Sequence, residues 1–278
     1  MPDIQHVTAL CFGASYLSAF TFEVLYYFRP RPIFRLLALG FGSAGLFAHT
    51  LFLIYVKLLL ASPSASAVAV GWILSIFYLT LTIRRSSVPW GLFVLPILIG
   101  LTTLSVFVSS GPEPLKRSLI SWLQNGENLK VWPRIHGMFL LGAAVGISVA
   151  FFASVMYLIQ AARVKAKVPP QKGMKLLSLE RLEMMNRRAI TCSFPLLTLG
   201  LLVALWLASQ GYPGFVSFGN WKLLTLVVLW IVFTGLLYLL YKTHASGRSI
   251  ALWTIVAFAL MVLSLASSFH PLVRSGGT

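Results

Sequence analysis

Charged side chains are scarce in this sequence, and acidic ones are the scarcest. Only 10% of the 278 residues are charged, and just six residues are aspartate or glutamate. A soluble domain carries about 25% charged residues, so this chain has too little charge to cover the surface of a water-soluble globule. The shortage excludes soluble enzymes, disordered regulators and secreted disulfide scaffolds. With 58% hydrophobic residues, the composition is instead typical of a polytopic membrane protein.

Cysteine is almost absent as well. Cys11 and Cys192 lie in different apolar runs, and helical rise places them about 20 Å apart in depth. A disulfide needs two Cα atoms within about 7 Å, so we expect both to remain thiols. No CxxC, CxxCH or HExxH pattern occurs. These absences exclude a dithiol oxidoreductase, a c-type cytochrome and a zinc protease.

Eight long apolar runs are present, separated by charged or Pro/Gly-rich breaks. Each run is close in length to the helix of about 20 residues that crosses roughly 30 Å of hydrocarbon. The runs are continuous rather than alternating, which favours helices. We therefore predict an all-α, polytopic membrane bundle of about eight transmembrane helices in a lipid bilayer. It is treated as a single domain over residues 1–278, in a prokaryotic inner (plasma) membrane. The predicted spans lie near residues 7–28, 36–60, 67–83, 88–109, 135–161, 189–209, 221–241 and 249–269.

The distribution of basic residues predicts the topology. Most of the 22 lysine and arginine residues fall in the loops after the first, third, fifth and seventh spans. The positive-inside rule places those loops in the cytoplasm and both termini on the non-cytoplasmic side. The densest basic segment, residues 163–188, is suited to anionic lipid headgroups or to a cytoplasmic partner. It carries no nucleic-acid-binding module, so no nucleic-acid partner is predicted. Leu176, Leu179, Leu182 and Met185 recur within it at near-helical spacing, which predicts a short helix along the inner surface.

The histidines are the main candidates for chemistry, because ionisable groups in or beside the membrane are costly. His49 falls near the middle of the second span, His136 opens the fifth span on the outer side, and His270 closes the eighth there. Haem iron takes axial histidine ligands inside apolar and aromatic walls. The alternative is structural: His136 and His270 as interfacial residues, and His49 as a hydrogen-bond partner of a neighbouring helix.

Two further features have mainly structural interpretations. Glu23 lies about five residues from the inner end of the first span, where it is expected to snorkel to the membrane surface or pair with Arg29, or else to belong to a proton or ligand path. Small residues recur at four-residue steps in the fifth span, which predicts close helix packing. They are Gly142, Gly146, Ala150 and Ser154.

Several strings in the second half resemble a known family. His136-Gly-Met-Phe-Leu-Leu-Gly opens the fifth span, Asn186-Arg-Arg-Ala-Ile190 precedes the sixth, and Ser268-Phe269-His270 closes the eighth. In their order and placement these strings are similar to the cytochrome c assembly family that contains CcsA, ResC and HemX. The likeness covers mainly residues 130–270. His49-Thr-Leu in the second span also looks like the family's membrane histidine.

The resemblance implies haem handling. It implies that His136 and His270 are an external axial pair for the iron of a non-covalent, b-type haem, and that His49 is a haem ligand within the membrane. The segment 211–222 lacks the tryptophan-rich sequence of the family's synthases. No catalytic residue is therefore predicted, and the likeness is closer to the HemX-like branch.

Three functions follow as hypotheses. In the first, the protein holds or delivers haem for cytochrome c assembly, with an apocytochrome c or a second assembly subunit as partner. In the second, it is a HemX-like membrane regulator or scaffold for a cytoplasmic haem-synthesis enzyme. A secondary transporter is the third, and neither internal repeats nor interrupted helices favour it.

Overall fold

The computed structural model describes residues 9–55, 63–84, 88–109, 131–167, 176–211, 221–242 and 246–267. Over those ranges the regular secondary structure consists of eight α-helices, with no strand. The helices are α1 (Ala9–Phe28), α2 (Pro32–Tyr55), α3 (Pro63–Arg84), α4 (Gly91–Ser109), α5 (Val131–Lys165), α6 (Leu179–Ser209), α7 (Trp221–Lys242) and α8 (Gly247–Ser267).

The all-helical prediction is confirmed, since each predicted span overlaps one helix. Five segments of the described chain are long and apolar enough to cross a membrane, which makes this an integral membrane protein. The presence of eight membrane spans and the location of both termini on the non-cytoplasmic side stay predictions. The five segments are Pro32–Ile54, Val131–Lys165, Leu179–Ser209, Leu224–Lys242 and Gly247–Ser264.

The start of α6 differs from expectation. Of the residues predicted to mark a separate surface helix, Leu176 precedes α6, whereas Leu179, Leu182 and Met185 belong to the first turns of one continuous helix of 31 residues. Ser178 caps it, because its hydroxyl accepts a hydrogen bond from the Arg181 backbone N–H at 3.4 Å. Leu182, Asn186 and Ile190 follow at four-residue steps and are buried. The helical periodicity therefore reflects an inward face of α6 and not a face lying on lipid headgroups.

The chain divides into two compact units. Unit 1 contains α1 to α4 together with residues 163–177, and unit 2 contains α5 up to Ala162 with α6, α7 and α8. Within unit 1, both α1 and α3 pack against α2 and α4. Within unit 2, α7 packs against both α6 and α8.

Glycines on α2 make room for the aromatic core of unit 1. A Cβ atom on Gly45 would lie 2.7 Å from Cε1 of Tyr16, and one on Gly42 would lie 2.9 Å from Cε1 of Tyr78. Both tyrosines are fully buried. The two rings therefore lie directly against the α2 backbone, which holds α1 and α3 at a fixed depth beside it.

Small residues bring α5 and α6 together in unit 2. A Cβ on Gly142 would lie 3.0 Å from Cδ1 of Leu196, and a Cβ on Gly146 would overlap the Ser193 hydroxyl. On the α6 side, a Cβ on Gly200 would lie 2.7 Å from Cδ2 of Leu140. The predicted small-residue ladder is therefore a close-packing surface at Gly142 and Gly146.

Replacing Gly45 by alanine tests the α2 contact. We expect Gly45→Ala to lower the stability of the protein by about 1–3 kcal/mol, because the new methyl group must displace the Tyr16 ring. Gly40→Ala on the same helix is the matched control, since no atom lies within 4 Å of the added Cβ. Because alanine has a higher helix propensity than glycine, Gly40→Ala should cause no loss of stability. Thermal unfolding in detergent, followed by circular dichroism, checks both, and equal melting temperatures for the two variants would contradict the packing described.

Candidate functional site

His49 is enclosed by aromatic side chains of α1. Its imidazole is fully buried, and the Phe12 ring stacks on it with a centroid distance of 4.2 Å and an interplanar angle of 4°. The Tyr16 hydroxyl lies 3.2 Å from Nδ1. Because Phe12 and Tyr16 are four residues apart on one helix face, α1 contacts both a face and an edge of the ring. Sequence analysis located this histidine but not the two residues that hold it.

The second ring nitrogen of His49 faces α3. Nε2 is buried and makes no well-aligned hydrogen bond within the described residues, but the backbone of Val68 on α3 has a hydrogen-bonding interaction with the ring. A Cβ on Gly71 would sit 3.6 Å from Cε1 of the imidazole, which is ordinary contact, so this edge of the ring has room for one more small group.

His136 is oriented by the backbone of the neighbouring helix. Its Nδ1 lies 2.8 Å from the carbonyl oxygen of Gly200 on α6. A carbonyl oxygen only accepts hydrogen bonds, so Nδ1 carries the ring proton and, in the neutral imidazole, Nε2 carries the lone pair. This tautomer is the one that histidine ligands of metals commonly adopt. The missing side chain at Gly200 lets α5 approach closely enough for the bond to form.

Aromatic residues lie beside His136 at the same end of unit 2. Trp132, one helical turn before His136 on α5, packs against Trp206 of α6 with a centroid distance of 4.9 Å. Both indoles are partly exposed. A pair of partly exposed tryptophans is typical of a membrane interface, and it also provides flat apolar surface next to a histidine.

The other predicted ligand, His270, lies outside the described residues. Its pairing with His136 stays a prediction. His49 belongs to unit 1 and His136 to unit 2, and each is described within its own unit. Within the described ranges no group of three or more His, Cys, Asp or Glu side chains is assembled as a metal cage.

A buried ion pair at the other end of unit 1 was only partly predicted. Glu23 is 1% exposed and lies 3.5 Å from Nη1 of Arg35 on α2. The Tyr78 hydroxyl donates a hydrogen bond of 2.9 Å to the same carboxylate oxygen, and Arg35 Nη2 donates to the Thr82 carbonyl at 2.8 Å. The expected pairing with Arg29 is wrong. The reason is that α2 begins at Pro32, four residues earlier than predicted, so Arg35 is helical and faces inward.

The Glu23 carboxylate is tightly enclosed. Gly91 at the start of α4 lies so close that a Cβ there would come within 2.5 Å of Cγ of Glu23. The second carboxylate oxygen, Oε2, makes no hydrogen bond within the described residues. Glu23 therefore joins α1 to α2, α3 and α4, and its carboxylate depends on Arg35 for charge compensation.

Replacing Arg35 tests its pairing with Glu23. Arg35→Gln should lower stability by about 3–5 kcal/mol, because removal of one partner leaves a buried, uncompensated carboxylate. Arg29→Gln is the matched control, since Arg29 is exposed and its loss should change stability by no more than about 0.5 kcal/mol. Adding Glu23→Gln to Arg35→Gln should restore part of the loss. Equal melting temperatures for the two arginine variants in detergent would refute the assignment of Arg35 as the partner.

A protein-family model matches most of the chain. The family model described as Cytochrome C assembly protein matches residues 60–270, which is more than half of the chain. The matched segment contains His136 and His270, whereas His49 lies upstream of it. No curated protein and no solved structure matches the chain.

Proposed function

Because this chain belongs to the cytochrome c assembly protein family, we propose that it holds haem at the non-cytoplasmic face of the membrane and delivers it for cytochrome c assembly. Family membership supports the general role in cytochrome c biogenesis. The observation that carries the finer proposal is the hydrogen bond from His136 Nδ1 to the Gly200 carbonyl. It presents an imidazole whose Nε2 has the lone pair that iron requires.

The residues around His136 fit an axial ligand of a b-type haem. The ring is held on one side by a backbone acceptor that no side-chain replacement removes. The Trp132–Trp206 pair lies one turn away and offers the aromatic wall that a porphyrin packs against. The chain has no CxxCH sequence for covalent attachment, so the haem would be bound non-covalently. His270 is the proposed second axial ligand.

The protein's contribution is binding and orientation. His136 would hold the cofactor from α5, and α6 would keep the imidazole in the required tautomer. The surroundings of His49 in unit 1 do not fit an iron porphyrin, because its ring is fully buried between Phe12, Tyr16 and Gly71, so no haem is placed there. Haem, when bound, supplies the redox chemistry. The proposed recipient is an apocytochrome c or a second assembly subunit, and no bond is made or broken by this chain.

Visible spectroscopy of the purified protein tests the site. In detergent, wild type titrated with hemin should give a bis-histidine type spectrum, and the double variant His136→Ala/His270→Ala should lose most of that band. His6→Ala/His244→Ala is the matched control, because it removes the same number of imidazoles and neither histidine is among the proposed ligands. An unchanged band in the first double variant, or no band in wild type, would refute the assignment.

A HemX-like regulator or scaffold is the second candidate. It is favoured by the length of α5 and α6, which have 35 and 31 residues and so exceed the roughly 30 Å of the hydrocarbon core. The N-terminal part of α6 carries exposed basic residues, including Arg181 and Arg188. Such a basic surface would suit an acidic cytoplasmic partner, for example an enzyme of haem synthesis.

Gene deletion separates the two candidates. Loss of c-type cytochromes, with early tetrapyrrole enzymes at normal abundance, is expected for the assembly role. Altered abundance of those enzymes with normal c-type cytochromes would favour regulation. Complementation sharpens the result: Arg181→Ala/Arg188→Ala should restore c-type cytochromes as well as wild type does, whereas His136→Ala/His270→Ala should not. Haem-stained gels and immunoblots provide the two readouts.

A further inference from the structure

We propose that one end of the α6–α7 pair binds the headgroup of an anionic phospholipid. The site is built by three basic residues, Arg187, Arg188 and Lys242, around a polar contact between the two helices. The chemical class of ligand is a glycerophospholipid whose headgroup carries a net negative charge. This inference goes beyond the proposed function and does not depend on haem binding.

The exposed face of α6 shows where this end lies relative to the bilayer. Leu199, Leu202 and Trp206 are between 43% and 56% exposed, and exposed Arg188 continues the same face three turns before Leu199. Arg188 and Trp206 are 18 residues apart, about 27 Å along the helix axis, which is close to the roughly 30 Å of the hydrocarbon core. Because a partly exposed tryptophan is typical of one membrane interface, Arg188 lies at the other, level with the lipid phosphates.

The exposed face of α7 ends in the same way. Leu224, Ile231 and Tyr238 recur at seven-residue steps and are at least half exposed. Tyr241 is also exposed, and Lys242 follows it as the last residue of the helix. Tyrosines at the end of an apolar face are typical of the headgroup level of a membrane. On both helices, therefore, an apolar face gives way to basic and aromatic residues.

A polar contact places these two ends side by side. The Thr191 hydroxyl donates a hydrogen bond of 2.8 Å to the carbonyl oxygen of Arg187. Its single proton is thereby used, so the Tyr241 hydroxyl is the donor in its own 2.8 Å contact with Thr191 Oγ1. The Arg187 guanidinium lies over the Tyr241 ring, with Cζ 5.3 Å from the ring centroid. The ring supports the guanidinium from one face, and the N–H groups in the guanidinium plane remain directed outward.

The positive charge around this contact is not compensated within the described part of the chain. Arg188 and Lys242 flank the contact on α6 and α7, and both are exposed. Neither of them forms an ion pair with a described residue, and Arg187 forms none either. The nearest acids along α6, Glu180 and Glu183, lie one to two turns closer to the start of the helix.

This arrangement suits a phosphodiester better than any zwitterionic group. A guanidinium whose in-plane donors are directed outward forms charge-assisted, bidentate hydrogen bonds to phosphate oxygens. Additional cations at the membrane surface attract lipids of net negative charge. A choline headgroup carries its own cation, which these residues would repel. The site is therefore expected to select phosphatidylglycerol over phosphatidylcholine.

Photocrosslinking in lipid nanodiscs tests the site. Full-length protein is placed in phosphatidylcholine nanodiscs that contain a minor fraction of photoreactive phosphatidylglycerol or, in parallel, of photoreactive phosphatidylcholine with the same acyl chains. The labelling yield over residues 187–192 and 238–242 is measured by mass spectrometry. Arg188→Gln/Lys242→Gln is compared with Arg29→Gln/Arg31→Gln, a matched control that removes the same charge from two exposed arginines of unit 1.

In wild type, phosphatidylglycerol should label these segments about 5-fold more than phosphatidylcholine, the effect of about one basic residue at the surface. Arg188→Gln/Lys242→Gln should lower the phosphatidylglycerol yield about 10-fold or more, because it removes two such residues. Arg29→Gln/Arg31→Gln should leave the yield unchanged. Tyr241→Leu should also lower it, since the Arg187 guanidinium loses its support, whereas Tyr241→Phe keeps the ring and should retain most of the labelling.

Two results would overturn the inference: equal labelling by the two lipids in wild type, or equal yields in the two charge variants. Either would leave the basic surface of α6 to an acidic cytoplasmic partner. Melting temperatures in detergent show whether each variant is folded, and the charge variants decide the matter if Tyr241→Leu is not. The hemin spectrum is recorded on the same samples, so a failure of the proposed haem site is seen separately from the lipid result.

Discussion

A polar side chain enclosed among apolar helices must find a partner, and in this protein that requirement determines where the helices meet. Leaving such a group without one costs about 1–3 kcal/mol, and more if it is charged. Glu23 is compensated by Arg35 of α2 and Tyr78 of α3, and His49 by Tyr16 of α1. In unit 2, His136 reaches the backbone of α6. Each contact joins residues from separate helices and places its polar group at one defined depth.

Glycine residues provide the space that these contacts need. A ring or a carboxylate can lie against a helix backbone only where no Cβ intervenes. Gly45 leaves this space for the Tyr16 ring, and Gly91 leaves it for the Glu23 carboxylate. On α6, Gly200 serves the same purpose for α5 and leaves its carbonyl within reach of His136. The glycines therefore belong to the polar sites as much as the side chains that carry the chemistry.

The helices could be predicted from the sequence because the apolar runs are long and the breaks between them polar. The small-residue ladder of α5 was equally readable, since Gly142 and Gly146 recur on one face. The partner of Glu23 could not be predicted in this way. Choosing Arg35 over Arg29 requires knowing, to within a few residues, where α2 begins. Tyr16 and Phe12 were missed for a different reason. Aromatic residues at helical spacing in an apolar run signal core packing, and nothing local distinguishes a ring that contacts an imidazole. The relation of His136 to His270 remains a prediction.

Because α6 is one continuous helix, it connects two distant parts of unit 2. The buried Leu182 near its capped beginning and the Gly200 carbonyl near its far end are 18 residues apart, about 27 Å along the helix axis. No loop interrupts the helix between them. Pro195 lies within this stretch. Because proline lacks the backbone N–H that a regular helical turn uses, the helix can bend at this residue.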